Sequence, residues 1–204
     1  GSDAENDVQG WHSFDVNPKS INPVGGFVYS ANNAPQPHDS VAYPGHYYAG
    51  NTRAQSIMDA LSTGKNDWTV ADAQGLQLDH HSPVYRKNAA KMVALAKQGG
   101  AYVPAFMDGW DGGHLDSDIA PTLYYRWMYL TIQGAMYDEF EQAAEAGDAQ
   151  DKFETWHKTI VSENSFPLLL HNENSGWWDD VRTDGVETAT DVVVAAMGAA
   201  QEDL

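Results

Sequence analysis

The sequence predicts a mainly α fold, about six helices with one to three short strands. Three observations carry this. Helix-start signals recur from residue 51 onward, a Ser, Thr or acidic residue followed three residues later by a polar partner. Apolar residues after that point return at intervals of three and four, the helical period. Only one segment, Phe27-Val28-Tyr29-Ser30-Ala31, reads clearly as a strand.

Residues 1–25 are polar and punctuated by Pro18, Pro23 and Gly25, with Trp11–Val16 as a candidate short strand. The Phe27–Ala31 strand is rich in β-formers and bounded by Gly25-Gly26 and Asn32-Asn33-Ala34-Pro35. Residues 34–50 read as a Pro/Gly loop. Thr52-Arg53-Ala54-Gln55 reads as a capping box opening a helix to about Leu61, stopped before Gly64. Thr69-Val70-Ala71-Asp72 opens a second helix, with Leu76 and Trp68 turned inward. Ser82-Pro83 opens a third, because proline at the first helical position loses no hydrogen bond; Val84, Met92 and Leu95 form its apolar face.

Residues 99–117 are a Gly/Asp-rich break. A long helix follows from about Ile119 to Glu145, with Ile119, Leu123, Trp127, Leu130 and Tyr137 at helical spacing. Asp151–Asn164 and Asp184–Met197 read as two further helices, opened by Asp151 with Glu154 and by Asp184 with Glu187. One lone strand would leave its backbone groups unpaired, so it must pair with residues 11–16 or 166–170, or with a sheet outside these residues. The second alternative is favoured.

The 204 residues suit one domain: residues 1–16 as a tag scar (Gly1-Ser2) and N-terminal arm, and residues 17–204 as a single mostly helical unit. With 29 Asp+Glu against 11 Lys+Arg, the net charge of −18 excludes nucleic acid and disfavours anionic membranes, since both need Lys/Arg clusters. The absence of Cys removes disulfides, thiolate zinc sites and cysteine nucleophiles. No signal peptide opens the chain and no 18-residue apolar stretch spans a membrane.

No dinucleotide or P-loop glycine motif, nucleophile elbow or His-Glu-x-x-His pair occurs. His80 and His81 are adjacent; on a helix their rings point about 100° apart and do not readily share a metal, so they read as surface or capping histidines. Asp108, Asp111, Asp116 and Asp118 could together offer oxygens to calcium, but the EF-hand spacing is absent. The favoured reading is a turn followed by a helix start, where the dipole favours acids. The seven Trp residues read as core packing rather than a sugar platform.

One ordered set of motifs is more specific. Asn22-Pro23-Val24-Gly25-Gly26, the strand and Asn32-Asn33 are followed by Tyr43-Pro44, Asn51-Thr52-Arg53-Ala54 and Leu76-Gln77-Leu78-Asp79 with Ser82-Pro83. Trp110-Asp111-Gly112, Ala120-Pro121-Thr122-Leu123-Tyr124-Tyr125-Arg126-Trp127 and Glu187-Thr188 complete it. From residue 17 on, this order and rough spacing resemble the penicillin acylase family of N-terminal nucleophile hydrolases, over an internal segment of the β chain.

The resemblance implies a helical segment of an αββα hydrolase. A serine at the start of the family's β chain attacks an amide, with its own α-amino group as base. By matching position, Asn32 would be the oxyanion-hole donor, and Arg53 would orient Asn32 and substrate. The nucleophile has no counterpart in this chain, so the isolated segment is expected to be inactive. No cofactor is expected in the segment. Calcium is left to the parent protein, because Val41-Ala42-Tyr43 stands where the family carries an acid and Asp39 is a weak substitute.

The expected partners are the remainder of the parent enzyme (α chain and rest of the β chain) and a small N-acyl amide of penicillin or acyl-homoserine-lactone type. Neither nucleic acid nor membrane is expected. The Phe27–Ala31 strand is expected to pair with a neighbouring chain or the N-terminal arm. The implied location is periplasmic or secreted. The alternatives are a stand-alone acidic helical binding module linked to calcium, and a catalytically dead scaffold derived from the family.

Overall fold

The computed structural model describes residues 10–35, 48, 51–143, 148–158 and 164–204. Seven helices are described: α1 (Asn51–Leu61), α2 (Val70–Gln77), α3 (Pro83–Gln98), α4 (Ala120–Ala143), α5 (Ala149–Trp156), α6 (Phe166–Leu170) and α7 (Ala189–Glu202). The chain is mainly helical, and no strand occurs among the described residues.

α4 organises the core. Its 24 residues span about 36 Å at the helical rise. They bury side chains over a wide arc, including Leu123, Tyr124, Trp127, Met128, Ile132 and Met136. A helix apolar over so much of its surface belongs inside a bundle. α7 lies along it and contributes Val192, Val193, Ala196 and Met197; α5 and the turn Gly176–Trp178 also pack on α4, and α3 packs on α7. The buried Trp127 indole donates to the Val193 carbonyl at 2.9 Å, so α4 and α7 share a hydrogen bond as well as apolar contact.

Local signals explain several boundaries. Thr69 caps α2 and forms a reciprocal box with Asp72. The Ser82 hydroxyl accepts from Tyr85 N–H, with Pro83 in the first turn of α3. α3 ends in a Schellman arrangement: Gly100, at φ +77°, donates to Lys97, and Ala101 N–H donates to the Ala96 carbonyl. Met92 and Leu95 are buried as expected, whereas Ile119 is 54% exposed and lies before the first turn of α4.

Other expectations are corrected. Residues 166–170 form α6, not a strand: Phe-Pro-Leu-Leu-Leu contains no β-branched residue, and Phe166, Leu169 and Leu170 are buried at i, i+3 and i+4. Trp11–Val16 is not a strand either. Val16 N–H donates to the Ser13 carbonyl and Asp15 N–H to the Ser13 hydroxyl, winding Phe14–Val16 into a 3₁₀ turn. Residues 27–30 lack a strand partner among the described residues, because both segments that could have paired with them are wound up.

The boxes expected at Thr52, Asp151 and Asp184 also differ. α1 already includes Thr52, and Gln55 instead donates to Asp59 one turn on. α5 starts after Asp148, which places Asp151 inside the first turn. α7 starts at a box made by Thr188 and Asp191, while Glu187 accepts from Asp180 N–H and the Thr183 hydroxyl. The loop at 34–50 and the family-like Tyr43-Pro44 lie largely outside the described residues, as do residues 144–147 and 159–163 within the helices expected there.

Candidate active site

Asn32 sits in a bend at residues 31–33, directly after the irregular segment 27–30. Its φ of +64° is in the left-handed region, which asparagine tolerates better than other residues with a Cβ. The neighbouring Asn33 holds this turn locally: its side-chain carbonyl accepts from Ala31 N–H at 3.2 Å, and its amide donates to the Ala34 carbonyl. Ala31 is buried, whereas Asn32 is exposed.

Arg53, in the first turn of α1, reaches back to this turn. Its guanidinium Nη2 donates to the Ala31 carbonyl at 2.8 Å and to the Asn32 side-chain Oδ1. The two residues expected at the site are therefore in direct contact, although 21 positions apart. The contact also decides the amide orientation. Guanidinium offers only donors, so Asn32 must turn its oxygen to Arg53, and its Nδ2 hydrogens point away from the arginine.

α1 packs on α3, and Arg53 lines a cavity of about 260 Å³ together with Thr52, Ser56, Asp79, His80, His81, Ser82, Tyr85, His114 and Tyr125. Aromatic rings back this cavity: Tyr85 stands 5.4 Å from Tyr124 and Trp110 stands 5.1 Å from it, between ring centres. His114 is held at both nitrogens, Nδ1 at 3.0 Å from the His80 carbonyl and Nε2 at 3.1 Å from the Tyr125 hydroxyl.

The expectation that His80 and His81 diverge fails because residues 79–82 are not helical. Their ring centres lie 4.3 Å apart. His81 Nδ1 is 2.7 Å from Asp79 and its Nε2 is 3.4 Å from Asp111. The Asp79 hydrogen bond raises the His81 pKa above the ordinary imidazole value, and the same bond lowers that of Asp79. Asp111 is lowered chiefly by the Gly113 N–H that it accepts. Sequence reasoning missed this grouping; the signal available was Ser82-Pro83, which puts the histidines before the helix rather than on it.

The four acids of residues 108–118 do not group as metal ligands among the described residues. Asp108 pairs with Lys97, Asp111 accepts from Gly113 N–H, and Asp118 accepts from Leu115 N–H, so these three carboxylates have separate partners. Asp39 lies outside the described residues. A larger cleft of about 560 Å³ between α4 and α7 is lined by Tyr137, Arg182, Glu187 and Asp191. Its polar groups serve structure: Arg182 pairs with Asp180 and Glu141, and Asp191 completes the α7 cap. Asn32 and Arg53 are not among the residues lining this cleft.

No helix among the described residues is long and apolar enough to cross a membrane. A search of curated proteins finds no match. The sequence does match the penicillin amidase family over residues 1–204, which extends the motif resemblance through the first 16 residues. The match covers the whole chain, and the chain belongs to the penicillin amidase family.

Proposed function

We propose that this chain supplies the oxyanion-stabilising part of an amidohydrolase that cleaves N-acyl amides. The observation that carries the reading is the Arg53–Asn32 contact, which holds the Asn32 amide with its N–H groups facing away from the arginine. As the carbonyl of a bound amide becomes tetrahedral, its oxygen gains negative charge. A pre-aimed N–H donor stabilises that charge without reorganising. Arg53 is a positioning residue in this scheme. It fixes the Asn32 orientation and, through the Ala31 carbonyl, the turn that presents it.

The attacking group in this reading is an N-terminal serine outside these residues, activated by its own α-amino group, whose ordinary pKa of about 7.7–8.0 suits a base near neutral pH. The substrates are side-chain amides such as penicillins or N-acyl homoserine lactones, and the location is periplasmic or secreted. The remainder of the parent enzyme is the partner, and residues 27–31 are where it would pair. Residues 17–204 act as one mostly helical unit. In this reading any calcium belongs to the remainder of the parent enzyme.

The test is turnover of a chromogenic acyl amide by the chain assembled with the serine-bearing remainder. Asn32→Ala is expected to lower kcat by about 10²–10³, with a much smaller change in KM. Arg53→Ala is expected to follow it, and Arg53→Lys to recover only part. Wild-type kcat in Asn32→Ala would sink the assignment. Full turnover by the 204-residue chain alone would overturn the placement of the nucleophile outside these residues.

A further inference from the structure

The segment leading into α3 gathers a carboxylate and two imidazoles. Asp79, His80 and His81 each offer a ligand atom, and these atoms lie within 4.8 Å of one another. From this juxtaposition we propose that Asp79, His80 and His81 bind a divalent transition-metal ion of the zinc class.

The donor set decides the class. Two imidazole nitrogens and one carboxylate oxygen suit zinc, cobalt, nickel or copper, whereas calcium and magnesium want oxygen shells. Bonds of 2.0–2.2 Å in a tetrahedral site put ligand atoms about 3.4 Å apart. No two of these atoms are more than 4.8 Å apart, and Asp79 and His81, hydrogen-bonded at 2.7 Å, must open slightly to face one ion; both adjustments are within the reach of side-chain rotation at an exposed segment.

The backbone beneath is already pinned. The His80 carbonyl accepts from His114, and Ser82 N–H donates to the Gly112 carbonyl at 3.0 Å. Asp111, 3.4 Å from His81 Nε2, is placed to join as a further oxygen or to orient the ring from outside. The cluster opens on the same cavity that Arg53 lines, which leaves room for water in a fourth position. The inference stands independently of the amidohydrolase reading, since it invokes neither Asn32 nor a nucleophile.

The test is titration of the 204-residue chain with Co²⁺, followed by visible absorption, and with Zn²⁺, followed by calorimetry. One equivalent is expected to bind with the intense visible bands of four-coordinate Co²⁺, and excess Ca²⁺ is expected not to compete. His80→Ala and His81→Gln should each weaken binding by about tenfold or more. His171→Ala and the double variant His38→Ala/His46→Ala should bind as the wild type does. Zn²⁺ should raise the melting temperature of the wild type and not that of His80→Ala, a readout that separates ligand loss from misfolding. The proposal is overturned by the absence of one-site binding, by binding that survives in both His80→Ala and His81→Gln, by loss only in the His38/His46 variant, or by equal competition from Ca²⁺.

Discussion

Gly112 offers a sharp test of how the loop at 108–113 is held against α3. It has φ +83°, and a Cβ placed on it would lie 2.4 Å from the Ser82 carbonyl oxygen and 3.3 Å from Arg86 Cβ. The first of these is backbone at the N-terminus of α3 and has no rotamer to move away. Gly112→Ala therefore combines the left-handed penalty, about 1–2 kcal/mol, with an overpacking cost of about 1–3 kcal/mol. Gly109 supplies the control, because it has a similar φ of +72° but open space around its Cβ position. Gly109→Ala should cost only the left-handed part. Urea unfolding followed by tryptophan fluorescence and far-UV circular dichroism would measure both. The expected gap is about 1–3 kcal/mol, several degrees in melting temperature. Equal losses in the two variants would refute the close-approach argument, since they would leave only the shared φ to explain either.

Three further expectations follow from the packing and charges. Trp127→Phe removes the indole donor to Val193 and leaves a void in the α4–α7 interface; a loss of roughly 2–4 kcal/mol in chemical denaturation is expected. Gly99→Ala should also destabilise, because the new methyl meets Val194 and Thr190 of α7 at 2.5 and 2.8 Å, whereas Gly198→Ala, with nothing within 4 Å, should stabilise by about 0.5–1 kcal/mol; thermal melts of the pair would check the opposite signs. Burial and the neighbouring Asp138 carboxyl push the Glu139 pKa up to about 7. The folded state then holds a proton that the unfolded chain has released. Glu139 thus subtracts from stability progressively as pH rises from its unfolded pKa through 7. Glu139→Gln should be more stable at pH 8 by about 1 kcal/mol, discounted for partial exposure, with no advantage below pH 4; unfolding curves at both pH values would show it.

What the sequence made legible was local or strongly periodic. The Thr69–Asp72 and Ser82-Pro83 starts form as read, since capping chemistry operates within three or four residues. α4 declared itself through Leu123, Trp127 and their helical neighbours. Misreadings arose where two local signals competed or a partner was missing. Asp184–Glu187 and Thr188–Asp191 are both plausible boxes, and the second won because Glu187 is drawn to Asp180 and Thr183. Leu168–Leu170 could serve strand or helix, and packing of Phe166, Leu169 and Leu170 against the bundle decided it. The Asn32–Arg53 contact has no local signature at all. Its two residues were picked out by resemblance, and only the folded chain shows that they touch. The histidine pair was misjudged for the opposite reason, a helical geometry assumed one turn too early.

The Arg53 clasp has a consequence for how this scaffold tolerates change. It closes a loop whose ends are 21 positions apart. The entropy of closing a flexible loop grows only as the logarithm of its length. Ten extra residues between Asn33 and Asn51 would cost about 0.3–0.4 kcal/mol on that scaling, less than one charge-assisted hydrogen bond contributes. Insertions and deletions there would change the closing cost little, so the clasp would stay fastened. The arginine thereby uncouples the aim of the amide from the number of residues between the two partners, so that this length can be varied with the amide direction left constant.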